Sequence, residues 1–402
     1  MRILQVVPRY APAWAFGGGV RMTYELAKAW VQHGHEVTVF TSDQNEGGRQ
    51  FAELEERMDG IAIHRFRNPV NVLATRYPFL FFRPAGMLNA LGKIEGKFDV
   101  IHVAESRGPH NRWVARQAPS QQVPVAWSAY GGLAAGEGAR RIYRKLHDQV
   151  FNTRHIVRRT NGFIAQTSHE VEVYRDFGAA PAQIRRIPLA VNWADFQSLP
   201  ARGQFRQKLG LGDRQKLVVA MGRIHWTKGL QLLIPAFAEA VRQVPDAYLA
   251  VVGWDHGYLG QIRKMVAELG LGDRVLFPGA VYGAERLTAY VDADLFALTP
   301  GIYEETSLAA MEACACGTGC VITRQCEIPG LEESNAGLTV EYEVGQISRA
   351  LAMGLQDNRA PGWGANARRM VIDRFTTETV AHTYEQFFEE LCDQMRTTKA
   401  LL

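Results

Sequence analysis

The sequence predicts an α/β protein of two domains, each built on a parallel sheet that helices cover on both faces. Apolar strand-like runs alternate with helix-like runs along the whole chain, which is typical of such sheets. The 402 residues are too many for one ordinary core, so two domains of about 180–200 residues are expected. Hydrophobic residues make up 47% of the chain and charged residues 21%, as in ordinary globular proteins.

The predicted elements follow in order. In the first half, strands are expected at residues 3–7, 36–41, 61–66, 100–105, 124–129 and 162–167. Helical patterns separate several of them, most clearly at residues 20–33 and 168–177. In the second half, strands are expected at residues 216–222, 247–253, 274–279, 294–300, 319–323 and 337–341, and a long last helix at residues 376–395.

Composition narrows the class of protein. There is no run of 18 apolar residues, and the first residues read as a strand rather than a signal peptide, so a cytoplasmic protein is predicted. Five cysteines, an odd number, indicate no disulfide framework. Cys314, Cys316 and Cys320 lack a histidine at metal-ligand spacing, which favours small buried thiols. No metal is predicted, and Asp292 and Asp294, which form a D-x-D string at a helix-to-strand junction, are expected to cap or to be solvated.

Two glutamates eight residues apart are the most informative pair in the sequence. Glu304 follows a strand-like run and precedes a helix-like one, and Glu312 lies a little over two turns along that helix. Backbone amides at the helix mouth form an anion site, predicted at Thr306, Ser307 and Leu308. A carboxylate for a sugar, a carboxylate for a ribose and an anion site between them indicate a nucleotide-sugar site.

Two cations and a glycine run follow predicted strands. Arg223 and Lys228 come directly after the first strand of the second half, where positive charge suits a diphosphate leaving group. Two solvated surface charges are the alternative. Gly17, Gly18 and Gly19 follow the first strand and let the backbone approach a phosphate or a sugar, although a plain loop would look the same.

These strings resemble the retaining glycosyltransferases of family four, which have the GT-B fold. The segment from Glu304 to Glu312 resembles the family's E-x7-E motif, with Glu305, Thr306 and Ser307 where Gly-Phe-Gly is common. Arg-Ile-His-Trp-Thr-Lys-Gly matches the family's Arg-x4-Lys-Gly, whose cations bind the pyrophosphate. The resemblance covers nearly the whole chain and is greatest to bacterial transferases of exopolysaccharide and lipopolysaccharide assembly.

The resemblance implies roles for the remaining candidate residues. Gly17 and Gly18 would lie near the donor phosphate, and Arg21 would contact the acceptor side. Tyr130 stands where many relatives have a histidine that contacts the donor sugar. Tyrosine keeps a hydroxyl donor but carries no positive charge near neutral pH, and a tyrosine that only packs under the loop is an equal alternative.

The resemblance also implies the domain plan and the reaction. Residues 1–190 would form the acceptor-side Rossmann-like domain, residues 191–375 the nucleotide-sugar domain across a cleft, and residues 376–402 a helix returning to the first domain. The predicted enzyme is a metal-independent retaining hexosyltransferase that needs no cofactor. It would move mannose or glucose from a GDP- or UDP-linked donor to a growing, lipid-linked glycan. A non-catalytic GT-B subunit that binds a glycan or a partner, and a nucleotide-sugar epimerase, are the alternatives.

Residues 140–159 carry an uneven share of the positive charge. Seven Arg or Lys residues accompany one acid, Asp148, while Tyr143, Leu146, Val150 and Val157 recur at helical spacing. A basic amphipathic helix of this kind can dock on the anionic inner face of a membrane. A helix packed on its domain with its charges in water is the alternative. The aromatic and basic run at residues 76–83 would line an acceptor groove, touch lipid or belong to the core.

Overall fold

A computed structural model describes residues 1–76, 82–134, 138–356 and 359–401, which divide into two compact units. Unit 1 comprises Met1–Pro188 and Thr377–Leu402, and unit 2 comprises Leu189–Thr376. Each unit has its own sheet and its own helices. Five residues of the aromatic and basic run, 77–81, lie outside the described residues.

Unit 1 is built on a sheet with the strand order β3-β4-β2-β1-β5-β6-β7-β8 in the part of the chain that the structure describes. The pairs are parallel except for β3, which runs antiparallel to β4 at the edge. The strands are β1 Arg2–Val6, β2 Glu36–Ser42, β3 Glu55–Met58, β4 Ile61–Phe66, β5 Val100–Ala104, β6 Val125–Ser128, β7 Gly162–Ala165 and β8 Ile184–Arg186. The helices are α1 Gly18–Gln32, α2 Asn71–Arg76, α3 Met87–Leu91, α4 Pro109–Gln117, α5 Gly138–Val150, α6 Thr153–Arg158 and α7 Ser168–Asp176.

Unit 2 is built on a parallel sheet with the order β11-β10-β9-β12-β13-β14 among its described residues. The strands are β9 Lys216–Met221, β10 Ala247–Val252, β11 Val275–Gly279, β12 Leu295–Leu298, β13 Gly319–Thr323 and β14 Gly337–Val340. The helices are α8 Gln204–Lys208, α9 Leu230–Gln243, α10 Leu259–Glu268, α11 Ala284–Asp292, α12 Leu308–Ala315, α13 Val344–Leu355 and α14 Arg359–Arg374. The last helix, α15 Thr377–Leu401, belongs to unit 1 and packs on α1.

Successive residues of the central strands enter different cores. In β9, Leu217 and Val219 pack on one side of the sheet, and Val218 and Ala220 pack on the other. All four are buried. The alternation follows from the two-residue period of a strand, and burial on both faces explains why the strand is apolar throughout. Polar and charged residues are therefore displaced to the loops at the strand ends, where the candidate site lies.

Each of the twelve predicted strands has a counterpart in the structure, with bounds within two residues. Two short strands were missed. Residues Glu55–Met58 are mostly charged and pair on one side only, and Ile184–Arg186 has three residues, two of them exposed arginines. Edge strands of this kind bury little apolar surface, so they lack the hydrophobic run by which the others are recognised.

The prediction of a single basic helix at residues 140–159 is wrong. The chain forms α5 and α6 instead, and they are separated at Asn152, whose φ of 49° is left-handed and breaks the helix. Asn152 then caps α6, because its side chain accepts a hydrogen bond from the His155 amide. The apolar residues of this segment also differ in burial. Val157 is buried, whereas Leu146 and Val150 of α5 are exposed.

Of the two aspartates of the D-x-D string, Asp292 caps a helix, as predicted, whereas Asp294 is largely buried in ion pairs. Asp292 accepts hydrogen bonds from the amides of Gly203, Phe205 and Arg206 at the start of α8. Asp294 binds the Arg206 guanidinium at 2.7 Å. The five cysteines are buried free thiols. Within the described ranges, every helix falls short of the length and apolarity that crossing a bilayer requires.

Candidate active site

The loop after β9 carries Arg223 and Lys228 at the carboxyl end of the unit 2 sheet. Arg223 is exposed, and Lys228 closes a short 3-10 turn at residues Trp226–Lys228. Gly229 follows with a φ of 74° and is the N-cap residue of α9. A Cβ at Gly229 would lie 1.4 Å from the Thr299 carbonyl oxygen, so only glycine allows this close approach to the segment after β12. The loop is thereby held against the chain that leads to Glu304.

Lys228 and Glu304 form an ion pair in which the ammonium contacts the Oε1 atom of the carboxylate. The two side chains are 15% and 19% exposed, so both are largely removed from water. The Glu304 amide donates to the Gln325 carbonyl at 2.8 Å, and Glu305 pairs with Cys326 in a short parallel bridge. The structure therefore brings together two candidates that are 76 residues apart in sequence.

The helix that follows Glu304 begins later than the sequence indicated. Ser307 is the N-cap residue and α12 starts at Leu308, so the first-turn amides include those of Ser307 and Leu308 but not that of Thr306. A hydrogen bond from the Ser307 amide also reaches the Cys326 thiol, whose pKa burial raises to about 12. Thr306 offers a side chain instead. Its hydroxyl oxygen is buried and has no hydrogen-bond partner among the residues that the structure describes.

Glu312 lies in the second turn of α12, against two side chains of α11. The Arg286 Nε atom is 3.1 Å from the Oε2 atom of Glu312, and the Tyr290 hydroxyl donates to the same oxygen at 3.3 Å. Burial, together with the nearby Glu312 charge, raises the pKa of Tyr290 well above its usual value, so the phenol remains a donor. Arg286 and Tyr290 therefore orient the carboxylate. Sequence analysis missed both, although their four-residue spacing places them on one helix face.

Exposed aromatic side chains surround the cationic loop. Trp226 is 43% exposed and Trp254, in the loop after β10, is 49% exposed. The His256 ring lies 4.9 Å from the Trp254 ring and 5.3 Å from the His225 ring. Asp255 fixes this loop, because its carboxylate accepts hydrogen bonds from three successive backbone amides, those of residues 257–259. The unit 2 site thus combines charge with flat apolar surfaces.

The glycines and Arg21, candidate residues of unit 1, lie at the start of α1, near the residue that follows β5. Gly17, with a φ of 95°, is the N-cap of α1, and Gly18 is its first residue. Arg21 lies in the first turn of that helix, and its side chain is exposed. A Cβ at Gly19 would lie 3.4 Å from a carboxylate oxygen of Glu105, a residue that sequence analysis missed. Burial raises the pKa of Glu105, and the Arg9 charge partly opposes this.

Tyr130 follows β6 with a left-handed φ of 50°. Its hydroxyl is buried and faces Tyr384 of α15 and Ser128 of β6. Burial, reinforced by the neighbouring Tyr384, raises the pKa of the phenol well above its usual value. The side chain therefore points into unit 1, which favours the packing alternative over contact with a sugar.

Comparison with known proteins shows which families the chain resembles. Residues 201–370 match the model of the glycosyl transferases group 1, and residues 16–194 match the model of Glycosyltransferase Family 4. The chain is 30% identical to the GDP-mannose-dependent alpha-(1-6)-phosphatidylinositol monomannoside mannosyltransferase of Mycolicibacterium smegmatis, over 90% of this chain and 92% of that protein. It is 25% identical to N-acetyl-alpha-D-glucosaminyl L-malate synthase of Bacillus anthracis, over 93% and 94%.

Solved structures show the same fold. The crystal structure of Anabaena HepE in complex with UDP superposes with a TM-score of 0.74 at 18% identity, over 97% of this chain and all of that chain. Sucrose-phosphate synthase from Thermosynechococcus elongatus gives a TM-score of 0.73 at 23% identity, over 97% and 99%. Both comparisons agree with two α/β units, each with its own parallel sheet.

Proposed function

The chain belongs to glycosyltransferase family 4 and has the GT-B fold, and on that basis we propose that it is a retaining hexosyltransferase of surface or exopolysaccharide assembly. It transfers mannose or glucose from a GDP- or UDP-linked donor, without a metal or cofactor, to a growing lipid-linked glycan. The observation that carries the proposal is the ion pair between Lys228 and Glu304. The pair places a cation and a carboxylate side by side. A nucleotide-sugar donor requires this arrangement, because its anomeric carbon is bonded directly to its diphosphate.

The chain's own charges support the chemistry of the donor. As the glycosidic bond breaks, negative charge grows on the departing diphosphate and positive charge grows on the sugar. Lys228 and Arg223, with the amides at the start of α12, stabilise the first charge. Glu304 orients the sugar hydroxyls and stabilises the second. In this front-face reaction the departing phosphate oxygen receives the acceptor's proton, so no side-chain nucleophile is needed.

The nucleotide is held further along α12. Glu312 binds the ribose hydroxyls, and Arg286 and Tyr290 keep its carboxylate in one orientation. The buried Thr306 hydroxyl supplies a further donor at the mouth of the helix. Trp254 and Trp226 offer flat surfaces on which a nucleobase stacks. In unit 1, Gly17 and Gly18 take the donor-phosphate side, and Arg21 takes the acceptor side.

The acceptor is lipid-linked, and α5 provides the membrane contact. Four apolar side chains of this helix are exposed: Ile142 at 73%, Tyr143 at 45%, Leu146 at 57% and Val150 at 64%. Exposed Arg141 and Lys145 lie beside them. An apolar stripe flanked by cations complements an anionic lipid surface better than it complements water. The Mycolicibacterium relative, a phosphatidylinositol monomannoside mannosyltransferase, supports the same proposal.

A donor screen tests the proposal. The purified protein is incubated with GDP-mannose, GDP-glucose, UDP-glucose and UDP-galactose, and release of the nucleoside diphosphate is followed with and without a polyprenyl-linked saccharide. We expect slow release from one hexose donor and faster release when the acceptor is added. The Lys228→Ala variant is the control for contaminating enzymes. No release above that control from any donor would contradict the proposal and would favour a non-catalytic subunit instead.

A further inference from the structure

A cluster of histidines and glutamates lies in unit 1, where the end of α1 meets the start of α15. His33 is the residue that ends α1. Glu378 and His382 lie one turn apart near the start of α15, and Glu385 follows one turn later. The ligand atoms of His33, Glu378 and His382 all lie within 4.8 Å of one another. None of these residues takes part in the proposed transfer reaction.

Glu385 fixes the protons of both imidazoles. Its Oε1 atom lies 2.6 Å from Nδ1 of His33, and its Oε2 atom lies 2.9 Å from Nδ1 of His382. A carboxylate only accepts hydrogen bonds, so each neutral ring must carry its proton on Nδ1. The other ring nitrogen, Nε2, is then a lone-pair donor to a metal. Carboxylates that orient histidine ligands in this way are typical of zinc sites.

Both Nε2 atoms converge on one oxygen of Glu378. The distances to its Oε1 atom are 3.1 Å from His33 and 3.6 Å from His382. Two imidazole nitrogens and a carboxylate oxygen therefore meet at one point, and these are ligand atoms that zinc binds in proteins. Bonds of about 2.0–2.1 Å in a tetrahedron require ligand atoms roughly 3.3 Å apart, which both distances approach.

Burial divides the cluster into a fixed part and a part open to solvent. The side chains of His33 and Glu385 are 12% and 10% exposed, whereas those of His382 and Glu378 are 55% and 64% exposed. The His33 and His382 rings are stacked, with centroids 4.2 Å apart. The open side gives an ion access and leaves room for the exposed His382 ring to tilt toward it.

We propose that His33, Glu378 and His382 form a binding site for a divalent transition-metal ion, zinc above all, with Glu385 positioning both imidazoles. Two imidazoles and a carboxylate suit zinc, and water completes the four-coordinate shell. The ion ties α1 to the first turns of α15, the helix with which the chain returns to unit 1. Its role is to stabilise unit 1, not to take part in the chemistry of transfer.

The test is a zinc titration of chelator-treated, full-length protein that carries no polyhistidine tag, with binding followed by calorimetry and stability by thermal melting. We expect one zinc ion per chain and a higher melting temperature with zinc. His382→Ala and Glu378→Gln alter exposed side chains, so both should fold and bind zinc at least tenfold more weakly. Glu385→Gln should weaken binding about 10–100-fold, as loss of a partner that orients a ligand does elsewhere.

His64→Ala is the matched control, because the half-buried His64 of β4 faces one acid, Glu55, at 3.5 Å. It should bind zinc as the wild type does. Wild-type protein that takes up no zinc at submillimolar concentration would overturn the proposal and leave the cluster as ion pairs only. Equal binding by wild type and by a Glu378→Gln, His382→Ala double variant would place the ion elsewhere and would also overturn it.

Discussion

At the scale of single residues, the ion pair between Lys228 and Glu304 is the central contact of the candidate site. Neither side chain is fully exposed, so each charge depends on the other for part of the interaction that water would otherwise supply. Arg223 differs, because it is exposed at the end of β9. The pair is therefore expected to matter for both structure and catalysis, and Arg223 for catalysis alone.

The cations give the first prediction. Arg223→Ala and Lys228→Ala should each lower turnover roughly 10²–10³-fold, as loss of one preorganised charge-stabilising donor does in other enzymes. Arg223→Ala should leave the melting temperature unchanged, and Lys228→Ala should lower it, because Glu304 then loses its partner. Steady-state kinetics and thermal melting check both. Wild-type turnover in both variants would remove these side chains from the mechanism.

A buried histidine gives a prediction of pH dependence. His102 of β5 contacts Gln5 and Ser128, and burial lowers its pKa to about 3 from the ordinary 6.5. The unfolded chain therefore takes up a proton below about pH 6.5 while the folded chain does not. Stability is fully present above that pH and is lost as the pH falls toward 3, by about 1.4 kcal/mol per pH unit.

The measurement for His102 is the free energy of unfolding by urea between pH 7 and pH 4, for wild type and for His102→Gln. The difference between the two proteins should shift in favour of the variant as the pH falls. A difference that stays constant across this range would show that His102 is not held neutral in the folded state.

At the scale of elements, α5 exposes apolar side chains that a helix packed on its domain would bury. We predict that the protein binds vesicles containing anionic phosphatidylglycerol and that salt weakens the binding, since each cation near the surface contributes about 1 kcal/mol at most. Leu146→Ser with Val150→Ser should reduce binding without lowering stability, because both side chains are exposed. Co-sedimentation measures this. Equal binding to neutral and anionic vesicles would mean that the positive charges of α5 are only solvated.

At the scale of the whole molecule, the sequence predicted those features that depend on the local pattern of apolar and polar residues. Apolar strands and the loops directly after them were found, and with them Glu304 and Lys228. Arg286 and Tyr290 were not, because their contact with Glu312 depends on how α11 packs against α12. The start of α12 was misplaced, since loop hydrogen bonds to Gln325 and Cys326 delay it. His33 and Glu385 are 352 residues apart, a separation at which no spacing rule applies.

Metal dependence is a prediction for the whole enzyme. Exhaustive treatment with EDTA should leave turnover largely intact, because side-chain cations and backbone amides take up the charge of the leaving group. The zinc site proposed for unit 1 should affect the melting temperature and not the turnover. Complete loss of turnover that manganese restores would contradict the assignment of charge stabilisation to Arg223 and Lys228.

The central claim is that Glu304 acts at the sugar and Glu312 at the nucleotide, and calorimetric titration with the free nucleoside diphosphate tests it most directly. Glu304→Gln keeps size and hydrogen bonding, so it should depress turnover while nucleotide affinity stays near that of wild type. Glu312→Ala should weaken binding of the nucleotide itself by about 1–3 kcal/mol, the value of a lost charge-assisted hydrogen bond. If Glu304→Gln loses nucleotide affinity and Glu312→Ala does not, the roles of the two glutamates are the reverse of those proposed.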